Sequence, residues 1–365
     1  MGVQRGMESI GFGVAPVFLR DVARWPGSSL VSRAMRERAR YARSAWRSAT
    51  LGMALRGARV DVAVVSMAPE LCARLATDTP IIYACDAPCG FGGPTLGGVH
   101  QPISFSRFRR WINAIAVRRA AAVIVGTEGA RRYAIEHFSA DPARVHVSGL
   151  GANVVCGDAA WKDRAAPSSE GVHLVQVASQ PERKRVDASV RAAEILRQRG
   201  VAATLTLIGP PTPLARRSDA VVCLGRLRLS CEADAKLHRD AMLMAHAMLA
   251  PSRAEAFGIA AVEAAHFGLP VIATRVGGLA EIVRDGETGL LIPHDAGPAE
   301  IADAVERLMR DPARWRAMSA AARRLAVEEF TWRRWAERVA PVLERVIAEA
   351  RPAQGALPVL TPSSL

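Results

Sequence analysis

The feature that most restricts the fold is the order of residues 242–263: an apolar run, a proline, a tight turn, then an alanine-rich run opened by glycine. Residues 242–249 read as a short buried segment. Pro251 ends it, because proline has no N–H with which to continue a ladder. Phe257 and Gly258 then open a helix expected to begin near an acidic residue and reach about Phe267, with Gly268 where a C-cap glycine belongs. The rhythm repeats downstream. Residues 268–274 read as a turn and a buried strand, Gly277 and Gly278 open another helix, and residues 285–292 form a turn and a further strand. Upstream, residues 60–65, 81–85, 123–125, 145–147, 172–178, 204–208 and 221–224 read as strands. Helices are expected from Thr127 to near His137 and over 186–198, where Val186, Val190, Ala193 and Leu196 stand at helical spacing. Strands alternating with helices specify parallel α/β sheets. In such sheets ligands lie beyond the carboxyl ends of the strands.

Glu255 and Glu263 bracket the start and middle of the 258–267 helix. A helix N-terminus beside a glycine presents backbone N–H groups and a positive dipole end, which suits a phosphate. Carboxylates would repel that phosphate, but they accept hydrogen bonds from sugar and ribose hydroxyls. The combination describes a site for a nucleotide-linked sugar. Read in order, the chain carries E-x-F-G-x-x-x-x-E from Glu255 to Glu263, G-x-P-V-I-A from Gly268, G-G-x-x-E from Gly277 and D-G-x-T-G-x-L from Asp285. This series resembles the retaining nucleotide-sugar glycosyltransferases of family 4 (group 1). The resemblance extends from about residue 60 to residue 335 and is firmest in the second half.

It implies an α/β chain of the GT-B type: two Rossmann-like domains facing a central cleft, the N-terminal one shortened. The expected division is 1–165 for an acceptor-side domain, 166–330 for a nucleotide-sugar domain, 331–350 for a helix crossing back to the first domain, and 351–365 for a disordered tail. A linker is expected at 163–170. The resemblance further implies sugar transfer from a UDP- or GDP-sugar to a glycan or lipid-linked acceptor, with no metal and no cofactor. Lys184 keeps the position of the family's phosphate-binding lysine in G-R-x-x-x-x-K, whereas Ser179 stands where the arginine is expected and Arg183 is the candidate substitute. Glu263 is implied to accept from the donor ribose and Glu255 to face the transferred sugar. Phe257, Gly258 and Ile259 would offer backbone N–H groups to the diphosphate, and Gly225 and Arg226 would lie against the nucleobase. Asp86, in the place where many relatives have histidine, would orient the sugar or acceptor; a turn-forming role before Pro88 is its alternative. The shortened N-terminal domain and the loss of the arginine at Ser179 keep open a non-catalytic relative that binds a nucleotide sugar or a protein partner.

At 365 residues, half of them hydrophobic, two domains are expected. The net charge of +13 attracts polyanions, yet aromatics make up 5% with no base-stacking motif, which disfavours nucleic acid as partner. The six cysteines form no C-x-x-C pair or zinc spacing, so no metal site is expected and a reducing, cytoplasmic setting is. No signal peptide or membrane span is legible. Around Phe105, Phe108, Trp111, Ile112 and Ile115 run Arg107, Arg109, Arg110, Arg118 and Arg119. This reads as a helix covering the sheet, with peripheral contact at an anionic inner membrane surface as the alternative. Residues 90–98 read as an acceptor loop. The first fifty residues are least legible: a strand at 15–19, a turn at 25–29 around Gly27 and an arginine-rich helix at 32–47. A dinucleotide-binding oxidoreductase is disfavoured, since no G-x-G-x-x-G follows a strand. Phosphorylase-like chemistry would need a cofactor lysine, and Lys184 and Lys236 have the wrong context.

Overall fold

The computed structural model describes residues 2–11, 13, 49, 51–53, 55, 60–93, 95–96, 99–100, 107–157, 161–162, 164–168 and 171–350. The sequence readings at 15–19, 25–29, 32–47, Phe105 and 351–365, and parts of those at 90–98 and 163–170, lie outside these residues.

Two all-parallel sheets organise the chain. The first half carries strands β1 (Ala63–Ser66), β2 (Ile81–Ala84), β5 (Ala122–Val125) and β6 (Val145–Val147), hydrogen-bonded in the order β1-β2-β5-β6. Residues 95–96 and 99–100 form a small separate hairpin, β3 and β4. The second half carries β7 (Val172–Val177), β8 (Ala203–Ile208), β9 (Val221–Gly225), β10 (Ala247–Ala250), β11 (Val271–Thr274) and β12 (Gly289–Ile292). Its order is β12-β11-β10-β7-β8-β9. Every residue of β10, β11 and β12 is buried, the signature of strands covered by helices on both faces. The chain winds outward from β7 through β8 and β9, then returns to start β10 on the other side. That reversal opens a crevice at the carboxyl ends of β7 and β10.

The helices follow the sequence pattern closely. Val186–Gln198 buries Val186, Val190, Ala193 and Leu196 against the second sheet. Glu128–Phe138 starts behind Thr127, whose side chain accepts from the Ala130 N–H as an N-cap. Ile259–His266 is entered through Gly258 at φ 107°, a backbone angle that glycine alone adopts freely, and left through Gly268 at φ 63°. Three readings need correction. Residues 242–249 are not one segment: Met242–Met244 close the helix Glu232–Met244, and the strand starts at Ala247. The helical period of 232–244 was hidden because its end is as apolar as the strand. β1 begins at Ala63, since Val60 and Asp61 stay exposed outside the ladder. The helix after Gly258 has no acidic residue in its first turn; Glu255 sits in the preceding turn.

One face of the first sheet packs on Cys72, Leu75, Phe91, Val117, Tyr133 and Phe138. The other face, Ile82, Ala84, Ala122 and Ile124, is covered by the helix Trp332–Ala350 through Trp335, Val339, Leu343 and Val346. A helix at Gly2–Glu8, which the sequence did not announce, packs on that helix and adds Met7 to the same cluster.

Candidate active site

The carboxyl ends of both sheets meet. After β2 the chain runs through Asp86 to Gly93; after β5 it passes Gly126 and enters the Glu128–Phe138 helix. Opposite them stand the turn 251–258 after β10 and the turn 275–278 after β11. Among the described residues, several contacts join the two sides. Glu255 N–H donates to the Gly92 carbonyl (2.7 Å) and Gly277 N–H to the Gly93 carbonyl (3.0 Å). The Phe257 ring lies against Gly126, where a Cβ would stand 2.6 Å from a ring carbon. Glu281 accepts from the backbone N–H groups of Glu128 (3.0 Å) and Gly129 (2.9 Å). Glu263 accepts from the Asn153 N–H (3.3 Å).

At the β7–β10 crevice the charged residues form one group. Lys184, 9% exposed, donates to the Glu255 carboxylate, and Arg183 reaches the same oxygen at 3.3 Å. Arg183 is further held by the Ala254 carbonyl (2.6 Å) and the Gln180 side chain (3.0 Å). The backbone fixes the pair: Arg253 N–H donates to the Arg183 carbonyl (2.8 Å), and the buried Gln176 amide donates to the Lys184 carbonyl (2.8 Å). Arg185 follows at φ 51°, unusual for a residue with a side chain. Its guanidinium donates to the Ala296 carbonyl (2.6 Å), tying the turn to the strand 289–292 side of the sheet.

Asp86 belongs to this group from the far wall. Its carboxyl is pushed above the ordinary range, first by burial, and the nearby Glu255 charge raises it further while Arg183 lowers it. Its carboxylate accepts from the Ala87 N–H (2.7 Å), and its carbonyl accepts from the Gly126 N–H (2.9 Å). Glu263 is a separate centre. Buried in the middle of its helix, it is raised to about 7, chiefly by desolvation and against the hydrogen bonds from the 153–154 backbone. Its burial disfavours the charged form, and the backbone N–H groups compensate only in part.

Gly225 ends β9 at φ 71° and its carbonyl accepts from Gly209 N–H (2.7 Å), while Arg226 is exposed at the sheet edge. No contact in the described residues joins Gly225 or Arg226 to the Lys184–Glu255 group. Ser179 is exposed. Gly277 and Gly278 pack: added Cβ atoms would run into the Glu255 and Phe257 carbonyls. In the sequence Glu281 stands within G-G-x-x-E with no task attached, and no motif marks Gly92, Gly93 and Gly126 as contact points. The glycine pair at 92–93 was the available signal.

Two parallel-sheet domains whose strand ends face each other form the GT-B architecture of glycosyltransferases. The profile of the family described as "Glycosyl transferases group 1" matches residues 171–311. The chain is 32% identical over 272 residues to the alpha-maltose-1-phosphate synthase of Mycolicibacterium smegmatis, covering 69% of each. It is also 32% identical over 267 residues to the D-inositol 3-phosphate glycosyltransferase of Kineococcus radiotolerans, covering 66% of this chain and 61% of the relative. Among solved structures, sucrose-phosphate synthase from Thermosynechococcus elongatus superposes with a TM-score of 0.61 at 21% identity, covering 79% of this chain and 74% of the other. Anabaena Alr3699/HepE in complex with UDP-glucose superposes at 0.63 and 17% identity, covering 82% of each. The chain belongs to the glycosyl transferases group 1 family.

Proposed function

We infer that the chain transfers a sugar from a UDP- or GDP-linked donor to a glycan or lipid-linked acceptor with retention at the anomeric carbon. The observation that carries this reading is the Lys184–Arg183–Glu255 group at the strand-order reversal, beside the glycine-entered helix and facing Asp86. A donor diphosphate seated on the first turn of Ile259–His266 meets the N–H groups next to Phe257 and Gly258. It competes with Glu255 for Lys184 and Arg183. Glu255, released, turns its oxygens to the sugar hydroxyls. Glu263 takes the ribose, and the 225–226 edge takes the base.

In the transfer step the acceptor oxygen bonds to the anomeric carbon as the carbon–phosphate-oxygen bond breaks on the same face. The departing phosphate oxygen collects the acceptor proton, so no strong protein base is needed. Lys184 and Arg183 stabilise the growing diphosphate charge, the task that divalent ions perform elsewhere. The names of the two relatives, a synthase of maltose 1-phosphate and a glycosyltransferase of inositol 3-phosphate, support a sugar-transfer reading. The net charge of +13 suits an acceptor bearing phosphate or lying at an anionic surface.

Incubation with a panel of nucleotide sugars tests the reading. Release of nucleoside diphosphate from one donor, unchanged by EDTA and lost in Lys184→Ala, is the expected result. Absence of both turnover and binding across the panel overturns it in favour of a non-catalytic relative.

A further inference from the structure

Resting on that reading, we propose that Glu281 is a positioning residue: it clasps the start of the first domain's Glu128–Phe138 helix and sets the closed register in which the acceptor wall faces the donor wall. Both Glu281 oxygens are used. Oε2 accepts from the Glu128 N–H and Oε1 from the Gly129 N–H, at 3.0 and 2.9 Å. These are leading N–H groups of an 11-residue helix, which has no carbonyl of its own to offer them. A carboxylate there also meets the positive end of the helix dipole.

The clasp sits where it can transmit geometry. On the first-domain side, Thr127 is the N-cap and Gly126 precedes it; Gly126 N–H holds the Asp86 carbonyl (2.9 Å). On the other side, Glu281 follows Gly277 and Gly278 by one helical turn, and Gly278 N–H holds the Glu255 carbonyl (3.1 Å). Glu281 therefore joins the backbone that carries Asp86 to the backbone that carries Glu255. The Gly92–Glu255 and Gly93–Gly277 bonds and the Phe257–Gly126 contact are satisfied in the same arrangement. The residues assigned to the nucleotide lie in the second domain alone. Loss of the clasp thus leaves nucleotide binding in place and removes the closed alignment needed for transfer.

The test removes the clasp from either end. Glu281→Ala deletes the acceptor. Glu128→Pro deletes one donor, and proline is well tolerated at the first helical position; Thr127 before it is already extended (φ −139°, ψ 161°). Glu128→Ala keeps the N–H and reads out the exposed side chain. Expected are a fall in kcat of about tenfold for Glu281→Ala, and about threefold for Glu281→Gln and Glu128→Pro, each with the Kd for UDP or GDP within about twofold of wild type. The double variant Glu281→Ala/Glu128→Pro falls no further than Glu281→Ala. Small-angle scattering of the ligand-free proteins shows a larger radius of gyration for Glu281→Ala. Unchanged kcat and radius, multiplying losses in the double variant, or nucleotide affinity falling in step with kcat would overturn the proposal. Scattering also separates the two readings: a wild type without turnover sinks the donor assignment, while the radius still reports on the clasp.

Discussion

The two walls of the cleft meet each other with different parts of the chain. The second domain brings the side chains of Lys184, Arg183, Glu255, Phe257, Glu263 and Glu281 to the cleft, along with the backbone N–H groups of Glu255 and Gly277. The first domain brings mostly main chain: the Gly92 and Gly93 carbonyls, the Gly126 surface and the N–H groups of Glu128, Gly129 and Asn153. Asp86 is the charged side chain it adds to the group. The difference separates two tasks. On the proposed reading, the charged side chains select and stabilise a donor. A backbone wall provides a surface whose shape, rather than chemistry, fixes how closely the halves approach.

Variants that break this asymmetry rank by the wall they touch. The largest effect is expected for Lys184→Ala, with donor turnover down about a thousandfold, because a preorganised cation opposite a developing charge is worth that much. Single-turnover kinetics with the donor identified by the panel checks it, and a loss below tenfold would move the role to Arg183. Next is Glu263→Gln, with donor affinity lower by about ten- to a hundredfold by calorimetry. The same variant carries a stability signature. Burial raises the folded carboxyl to about 7 from the ordinary 4.5. The unfolded chain therefore releases this proton first as pH rises. Stability is lost between pH 4.5 and 7 and stays low above that. Glu263→Gln removes the loss, so its Tm should exceed wild type at pH 8 and match it near pH 4.5. The difference is bounded by roughly 3 kcal/mol from linkage.

The backbone wall is probed by Gly92→Ala. Gly92 sits at φ 114°, and a Cβ there would lie 2.9 Å from the Glu255 carbonyl oxygen. Expected are a loss of about 1–3 kcal/mol of stability by denaturant titration, and a roughly fivefold fall in kcat with nucleotide affinity retained. A parallel loss of nucleotide affinity would show that the two walls are not separable. Asp86→Asn is expected to match it in kcat without the loss of stability. Because the folded Asp86 carboxyl is raised, a role for its ionised form places an acid limb in the pH–rate profile above the ordinary aspartate range. The variant should lower kcat about fivefold and erase that limb. The smallest change is Ser179→Arg, which restores the family cation at an exposed position and should tighten donor binding about threefold by adding an exposed charge-assisted contact.

The same asymmetry explains what could be read in the sequence. The helix 186–198 matches its apolar pattern residue for residue, and the strand 271–274 is legible because burial on both faces of a parallel sheet leaves a continuous signature. The Glu255–Glu263 segment was legible because its chemistry is written in side chains. The first-domain wall was not, since a carbonyl or N–H at Gly92, Gly93 or Glu128 belongs to every residue and leaves no compositional trace. Glu281 was visible as a letter in a motif, but its partner lies 153 positions away and is main chain. The helix Gly2–Glu8 was missed because only Met7 in it enters the cluster under the first sheet.

The coverage of the first sheet has a consequence for how the molecule is made. The face bearing Ile82, Ala84, Ala122 and Ile124 receives most of its apolar lining from the helix Trp332–Ala350. On a ribosome these strands emerge long before their cover. The nascent sheet stays one-sided and sticky while the following six-stranded sheet completes itself, so chaperone demand should fall abruptly once residue 346 clears the exit tunnel.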